Sequence, residues 1–131
     1  MDSIKLASAI DRQAEKYQKV QSVLIQVNIS GESSKSGIKR EAAAALIRNI
    51  SKFDNIAVKG LMTIPQYYND PENARPFFAA LSDLCNEIRN EAIPGINMGE
   101  LSMGMSGDYG VAIEEGATLI RVGTSIFGDR K

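Results

Sequence analysis

Two short runs near the C-terminal end of the chain carry the residue types from which an anion site is built. They are Glu100-Leu-Ser-Met-Gly-Met-Ser-Gly-Asp108 and Leu119-Ile-Arg-Val-Gly-Thr-Ser-Ile-Phe-Gly128. Each reads as a strand that breaks into a glycine turn. The first N–H groups of a helix have no intrahelical partner and point outward with the positive end of the helix dipole, so a turn of this kind can hold a phosphate. Ser106 is placed to cap a helix starting near Gly107 and to add its hydroxyl. Gly123 lets the second turn approach an anion with no Cβ in the way, and Thr124 adds an N–H and a hydroxyl. Either turn alone reads more simply as an ordinary cap or bend; two in succession read as a phosphate site. Arg121, on the strand leading into the second turn, carries the sharper signal. A guanidinium on an inward strand face is costly unless paired, and the nearest acid is Glu100, at the start of the neighbouring strand. A ligand acceptor is a natural partner. Were it a ring nitrogen, the permanently protonated guanidinium would keep it unprotonated.

The rest of the composition removes competing chemistries. The chain has no histidine, so Ser-His, Cys-His and histidine–metal sites are excluded, and no metal site is expected. Cys85 is the single cysteine and sits among apolar residues at helical spacing, which reads as a buried structural thiol. Lys35 and the pair Glu114-Glu115 read as solvated. With 15 basic and 16 acidic residues mixed along the chain, no basic patch points to nucleic acid or a membrane surface. No apolar run reaches membrane-spanning length and the first residues do not read as a signal peptide, so a cytoplasmic location is expected.

The elements that must position these residues are legible from periodicity. Asp2-Ser3 offers an N-cap, and Ile4, Ala7, Ile10, Ala14 and Tyr17 recur at helical spacing. Strands are expected at 23–29, 56–64, 100–105 and 118–122. Helices are expected from 39 to about 51, from the Asn69-Asp-Pro-Glu start through Ile88, and at 108–115. A loop of small residues fills 30–37. This is one domain, 1–131, of α then β-α-β-α-β-α-β. Strict alternation implies parallel strands with right-handed crossovers. An open sheet covered on both faces and part of a (β/α)8 barrel of TIM type both fit. Strand facing favours the barrel: Gln26 and Asn28 oppose Val23, Ile25 and Val27, while Ser102, Gly104 and Ser106 oppose Leu101, Met103 and Met105, and Arg121 and Gly123 oppose Ile120 and Val122. A sheet buried on both sides reads instead as continuous apolar runs. A barrel would gather the polar faces inside, near the C-terminal strand ends where such barrels keep their sites.

Four segments in order, Val27-Asn-Ile-Ser-Gly-Glu-Ser-Ser-Lys-Ser-Gly37, Gly60-Leu-Met-Thr-Ile64, Leu101-Ser-Met-Gly-Met-Ser106 and Arg121-Val-Gly-Thr-Ser-Ile-Phe-Gly128, resemble the pyridoxal phosphate homeostasis proteins. Those are single-domain barrels related to the cofactor-binding barrel of alanine racemase. The resemblance implies that the Met105 amide, Ser106, Gly123 and Thr124 hold the phosphate of pyridoxal 5'-phosphate, and that Arg121 meets its pyridine nitrogen. Asn28 and Met62 match positions lining the pocket. It implies vitamin B6 homeostasis by a cofactor carrier with no catalytic residue, since an unprotonated pyridine is a poorer electron sink.

The family's chains are nearly twice as long, and the lysine that forms the Schiff base lies on their first strand. Met1-Asp2-Ser3 resembles the end of their fourth strand. The resemblance therefore implies about half a barrel, strands five to eight, that binds the cofactor non-covalently and lacks the lysine of an N-terminal half. Lys59, on the face opposite Gly60 and Met62, matches no cofactor lysine. Exposed parallel edges would favour self-association or a complementing N-terminal half. Two alternatives stand beside this: a racemase-like enzyme fragment, and a half barrel binding some other phosphorylated metabolite.

Overall fold

Ser3, in extended backbone, accepts a hydrogen bond from the Leu6 N–H at 3.3 Å and starts helix α1 (Ile4–Lys16). From there a computed structural model of the protein, which describes residues 1–129, alternates strands and helices as the periodicity implies. Strand β1 (Gln21–Asn28) leads to a two-residue strand, β2 (Ile38–Lys39), and helix α2 (Arg40–Ile50). Strand β3 (Ile56–Met62) is followed by a 3-10 turn, Pro71–Ala74, that opens helix α3 (Arg75–Asn90). Asp70 caps that turn by accepting the Glu72 N–H, and Pro71 takes the first position, where a missing N–H costs nothing. Then come β4 (Glu100–Met105), α4 (Tyr109–Glu114), β5 (Leu119–Arg121) and a single turn of helix, α5 (Thr124–Phe127).

All strand pairs are parallel, in the order β2-β1-β3-β4-β5. The strand β2 is too short for a periodicity to announce it. It exists because Gly37, at φ +114°, turns the loop back where a Cβ would lie 2.8 Å from the Asn28 nitrogen.

One face of the sheet is sealed by helices; no helix covers the other, the open face, although the small Ser102 on it is itself buried. Ile25, Val27, Val58, Leu61 and Met103 are sealed beneath Ile47 and Ile50 of α2 and Phe78, Leu81 and Ile88 of α3. The opposite face carries Gln26, Met62, Ser102 and Leu119, which stand on one line across the four main strands. The protein is thus an α/β fold with a parallel sheet covered on one side. Cys85 belongs to the covered side, its thiol donating to the Met98 carbonyl at 3.5 Å and pushed up in pKa by burial.

Two irregularities change which residues share a face. Val23 pairs with Val58 but Leu24 with Gly60, so β3 bulges at Lys59. The bulge lets Lys59 line a cavity with Ser22, Val23, Leu24, Glu100 and Leu119, so its expected separation from the face of Gly60 does not hold. In β4, Ser102 pairs with Leu119 but Met105 with Arg121, three residues against two. Gly104, at φ +95°, takes up the difference, and a Cβ on it would sit 2.6 Å from that of Ala112 in α4. The expected grouping of Ser102, Gly104 and Ser106 opposite Met105 is therefore corrected. Gly104 faces the helix, and the half-exposed Met105 stands beside Arg121 on the open face.

Helix α4, which follows the first glycine turn, is held to the start of α3 by Arg75. Its guanidinium reaches Glu72, Glu114 and Glu115 at 2.5–2.7 Å, and these contacts raise its pKa. The group is solvent-exposed, so the network is a positioning tie that salt will weaken.

Candidate functional site

The two glycine turns meet at the C-terminal ends of β4 and β5, and Ser106 joins them. Its Oγ accepts hydrogen bonds from the Gly123 N–H at 3.0 Å and the Ser125 N–H at 3.2 Å. Ser106 is thus not the helix cap expected from sequence. Helix α4 begins two residues later than that reading requires, and Asp108 holds the cap position. The Asp108 carboxylate accepts the Met105 N–H at 2.7 Å while its own N–H donates to the Met105 carbonyl at 3.1 Å. These reciprocal bonds close a tight loop around Ser106 and Gly107. The Met105 amide is accordingly engaged with Asp108. Among the described residues, the amides of Ser106, Gly107 and Thr124 find no protein acceptor. Short helix α5 starts at Thr124, beside the Gly123 amide that Ser106 fixes.

Arg121 lies on the open face directly below these turns. Its Nη2 donates to the Thr63 carbonyl at 2.8 Å. Thr63 is buried and its own hydroxyl donates to the Val27 carbonyl at 2.8 Å, so one chain of bonds ties the ends of β1, β3 and β5. The Nε of Arg121 is buried and, among the described residues, is the one side-chain polar atom in that condition without a partner. Desolvation lowers the pKa of this guanidinium, and the charge of Asp108 acts in the opposite direction.

Asn28 does a different job from the one its position suggests. Its Nδ2 donates to the carbonyls of Glu32 and Lys35 at 2.7 and 3.2 Å, and its Oδ1 accepts from the Ser30 hydroxyl and the Gly31 N–H. The amide organises the loop at 30–37, and its polar atoms are spent there. Asn28→Ala is expected to loosen that loop at a cost of about 1–3 kcal/mol, read as faster tryptic cleavage after Lys35 and a lower melting temperature. Met62 lies on the open face in line with Gln26 and Ser102, two strands from Arg121. Sequence reasoning missed Thr63, Asp108 and Ser125. Only Asp108 left a signal, an acidic residue three positions after the last strand residue, where a side chain can close a turn on its own backbone.

The whole chain, residues 1–131, matches the family described as "Alanine racemase, N-terminal domain". The chain belongs to that family. Within it the chain is 45% identical over 131 residues to the pyridoxal phosphate homeostasis protein of Aquifex aeolicus strain VF5, covering all of this chain and 57% of that one. It is 42% identical over 130 residues to the protein of the same name from Vibrio alginolyticus, covering 54% of it. The chain therefore spans a little over half the length of these relatives. Among solved structures it is similar to an unknown protein from Bifidobacterium adolescentis, with a TM-score of 0.90 and 42% identity over 97% of this chain and 51% of that one. It is also similar to PipY of Synechococcus elongatus with pyridoxal phosphate bound, at a TM-score of 0.85 and 30% identity over 98% of this chain and 58% of PipY. Alanine racemase of Clostridium difficile shares the fold, with a TM-score of 0.73 at 15% identity.

Proposed function

We propose that this chain binds pyridoxal 5'-phosphate and serves vitamin B6 homeostasis as a non-catalytic cofactor carrier in the cytoplasm. The observation that carries the reading is Arg121, whose buried and unpartnered Nε lies under two backbone turns that share one serine hydroxyl. A phosphorylated pyridine suits both parts. Its phosphate would lie on the free amides of Ser106, Gly107 and Thr124, with the Thr124 hydroxyl, the Gly123 backbone and Met105 beside it. Its ring nitrogen would accept from Arg121. When bound, the cofactor supplies an amine-reactive aldehyde. The chain's part is to hold the phosphate, orient the ring and keep the ring nitrogen unprotonated. Asn28 would act on this pocket through its loop, and Met62 as an apolar wall.

The residues 1–131 would form one domain that is the C-terminal portion of a (β/α)8 barrel, with β1, β3, β4 and β5 as its strands five to eight. The pairing of Met1 supports this. Its N-terminal nitrogen donates to the Leu24 carbonyl and its carbonyl accepts the Gln26 N–H, which is the parallel ladder a preceding strand would continue along β1. A second copy or a complementing N-terminal half would cover the open face, and the half would bring the lysine that attaches the cofactor covalently. Racemase-like chemistry would need a lysine and a second acid or base at the ring; the two turns contain no lysine, and the carboxylate of Asp108 is engaged by the Met105 amide.

Titrating the protein with pyridoxal phosphate, followed by absorbance and calorimetry, tests the reading. Ser106→Ala should weaken binding about tenfold, because the Gly123 and Ser125 amides lose the acceptor that fixes the second turn. The same variant should bind pyridoxal, which lacks the phosphate, as the parent does. Equal loss for both ligands would mean that Ser106 acts on the fold and not on the phosphate.

A further inference from the structure

The two turns carry one charge of each sign. From Gly104 to Tyr109 and from Leu119 to Gly128, the charged side chains are Asp108 and Arg121 alone. An anion site would ordinarily leave its arginine uncompensated. Here Met105 and Arg121 are register partners across β4 and β5, and the Asp108 carboxylate is bound to the Met105 amide. The carboxylate makes no ion pair with the guanidinium among the described residues but acts on it through its charge, and it stands one short loop from the Ser106 hydroxyl. It also occupies a backbone N–H that an incoming phosphate would otherwise use.

We propose that Asp108 limits the affinity of this site: its carboxylate sets a like charge in the loop that would receive the phosphate and holds the Met105 amide, so that a phosphate dianion binds loosely enough to leave. The inference rests on reading the two turns as a phosphate site. It extends that reading from what the turns hold to how readily they release it. A protein that stores a cofactor for others must give it up, and a like charge beside the phosphate shortens its stay without altering the contacts that select it. The turn itself needs an acceptor at residue 108 and not a charge, because the bond to the Met105 amide is an ordinary hydrogen bond geometrically. A carboxylate at this position is therefore more than the loop requires.

The test separates the charge of Asp108 from its geometry. Asp108→Asn keeps an oxygen for the Met105 amide and removes the charge; Asp108→Ser is the second neutral variant should the first fold poorly. Each is titrated with inorganic phosphate, pyridoxal phosphate and pyridoxal, at low and high salt. Removing one like charge from this loop should tighten both phosphate-bearing probes about three- to tenfold, slow the dissociation of pyridoxal phosphate in proportion and leave pyridoxal unchanged. The gain should shrink as salt rises. Unchanged or weaker phosphate binding in both variants overturns the proposal and makes Asp108 a loop residue only. Tighter inorganic phosphate with pyridoxal phosphate bound no better than phosphate would uphold the role of Asp108 and sink the pyridoxal reading. Failure of every variant and the parent to bind any phosphate sinks both.

Discussion

Replacing Gly60 with alanine should abolish cooperative folding. Gly60 and Glu100 are partners across β3 and β4, and a Cβ on Gly60 would lie 1.8 Å from the Glu100 carbonyl oxygen and 2.6 Å from its carbon. These are backbone atoms in the middle of the sheet, so no side chain can swing away to relieve the clash. The ladder from Gly60 to Met62 would have to part, and with it the line that brings Thr63 under Arg121. A steric conflict of this kind belongs to the small class of substitutions costing more than about 4 kcal/mol, against a total stability of about 5–15 kcal/mol for a domain.

Gly95→Ala is the control. That residue has φ +77° but nothing within 4 Å of an added Cβ, so it bears only the left-handed backbone penalty of about 1 kcal/mol. Thermal melts by circular dichroism should show a clear transition for Gly95→Ala and none for Gly60→Ala. A Gly60→Ala melt within a few degrees of the parent would mean the β3–β4 spacing relaxes freely, and the site would then rest on a softer frame than described.

Particular residues explain why some of this was legible in the sequence and some was not. Alternation of apolar and polar positions found β1, β3 and β4 and the order of the helices, because one face of each is buried against helices and the other is not. It went wrong at Lys59 and Gly104, where a bulge inserts one residue. The period of two gives no warning of an insertion, and everything beyond it changes sides. The same slip hid the pairing of Met105 with Arg121. Arg121 itself was legible, since an arginine on a strand otherwise made of Leu, Ile and Val demands a partner. What it demands, Thr63 on a strand two positions away in the sheet, depends on the twist and stagger of three strands. Ser106 was found for the right turn but the wrong bond. Its neighbours along the chain suggested a cap, whereas its neighbours in space are Gly123 and Ser125. Asn28 shows the limit most plainly. Its place at the end of a strand pointed to a ligand, and only the loop it closes reveals that its polar atoms are already used.

Arg121→Met should cut the affinity for pyridoxal phosphate at least about tenfold, equivalent to about 1.4 kcal/mol, while barely changing the stability of the ligand-free protein. The two halves of that expectation come from the same observation. In the free protein the guanidinium satisfies the Thr63 carbonyl but leaves a buried Nε unpaired and is lowered in pKa by desolvation. An unpaired buried donor costs about 1–3 kcal/mol, so exchanging it for an apolar chain of similar length returns roughly what the lost Thr63 bond removes. A ring nitrogen that accepts from the guanidinium adds a bond that methionine forfeits. The melting temperature without ligand should therefore stay within a few degrees, and the stabilisation that pyridoxal phosphate confers on the parent should be largely lost. Inorganic phosphate should weaken less than pyridoxal phosphate, because it loses only the charge of Arg121 and not a ring contact. Arg121→Lys should fall between. It keeps the charge, but a single ammonium cannot reach the Thr63 carbonyl and a ring nitrogen with the fixed fork that a guanidinium provides. A steep drop in the ligand-free melting temperature with unchanged affinity would assign Arg121 to the sheet alone. Equal losses for phosphate and pyridoxal phosphate would leave the two turns as an anion site with no preference for a pyridine ring.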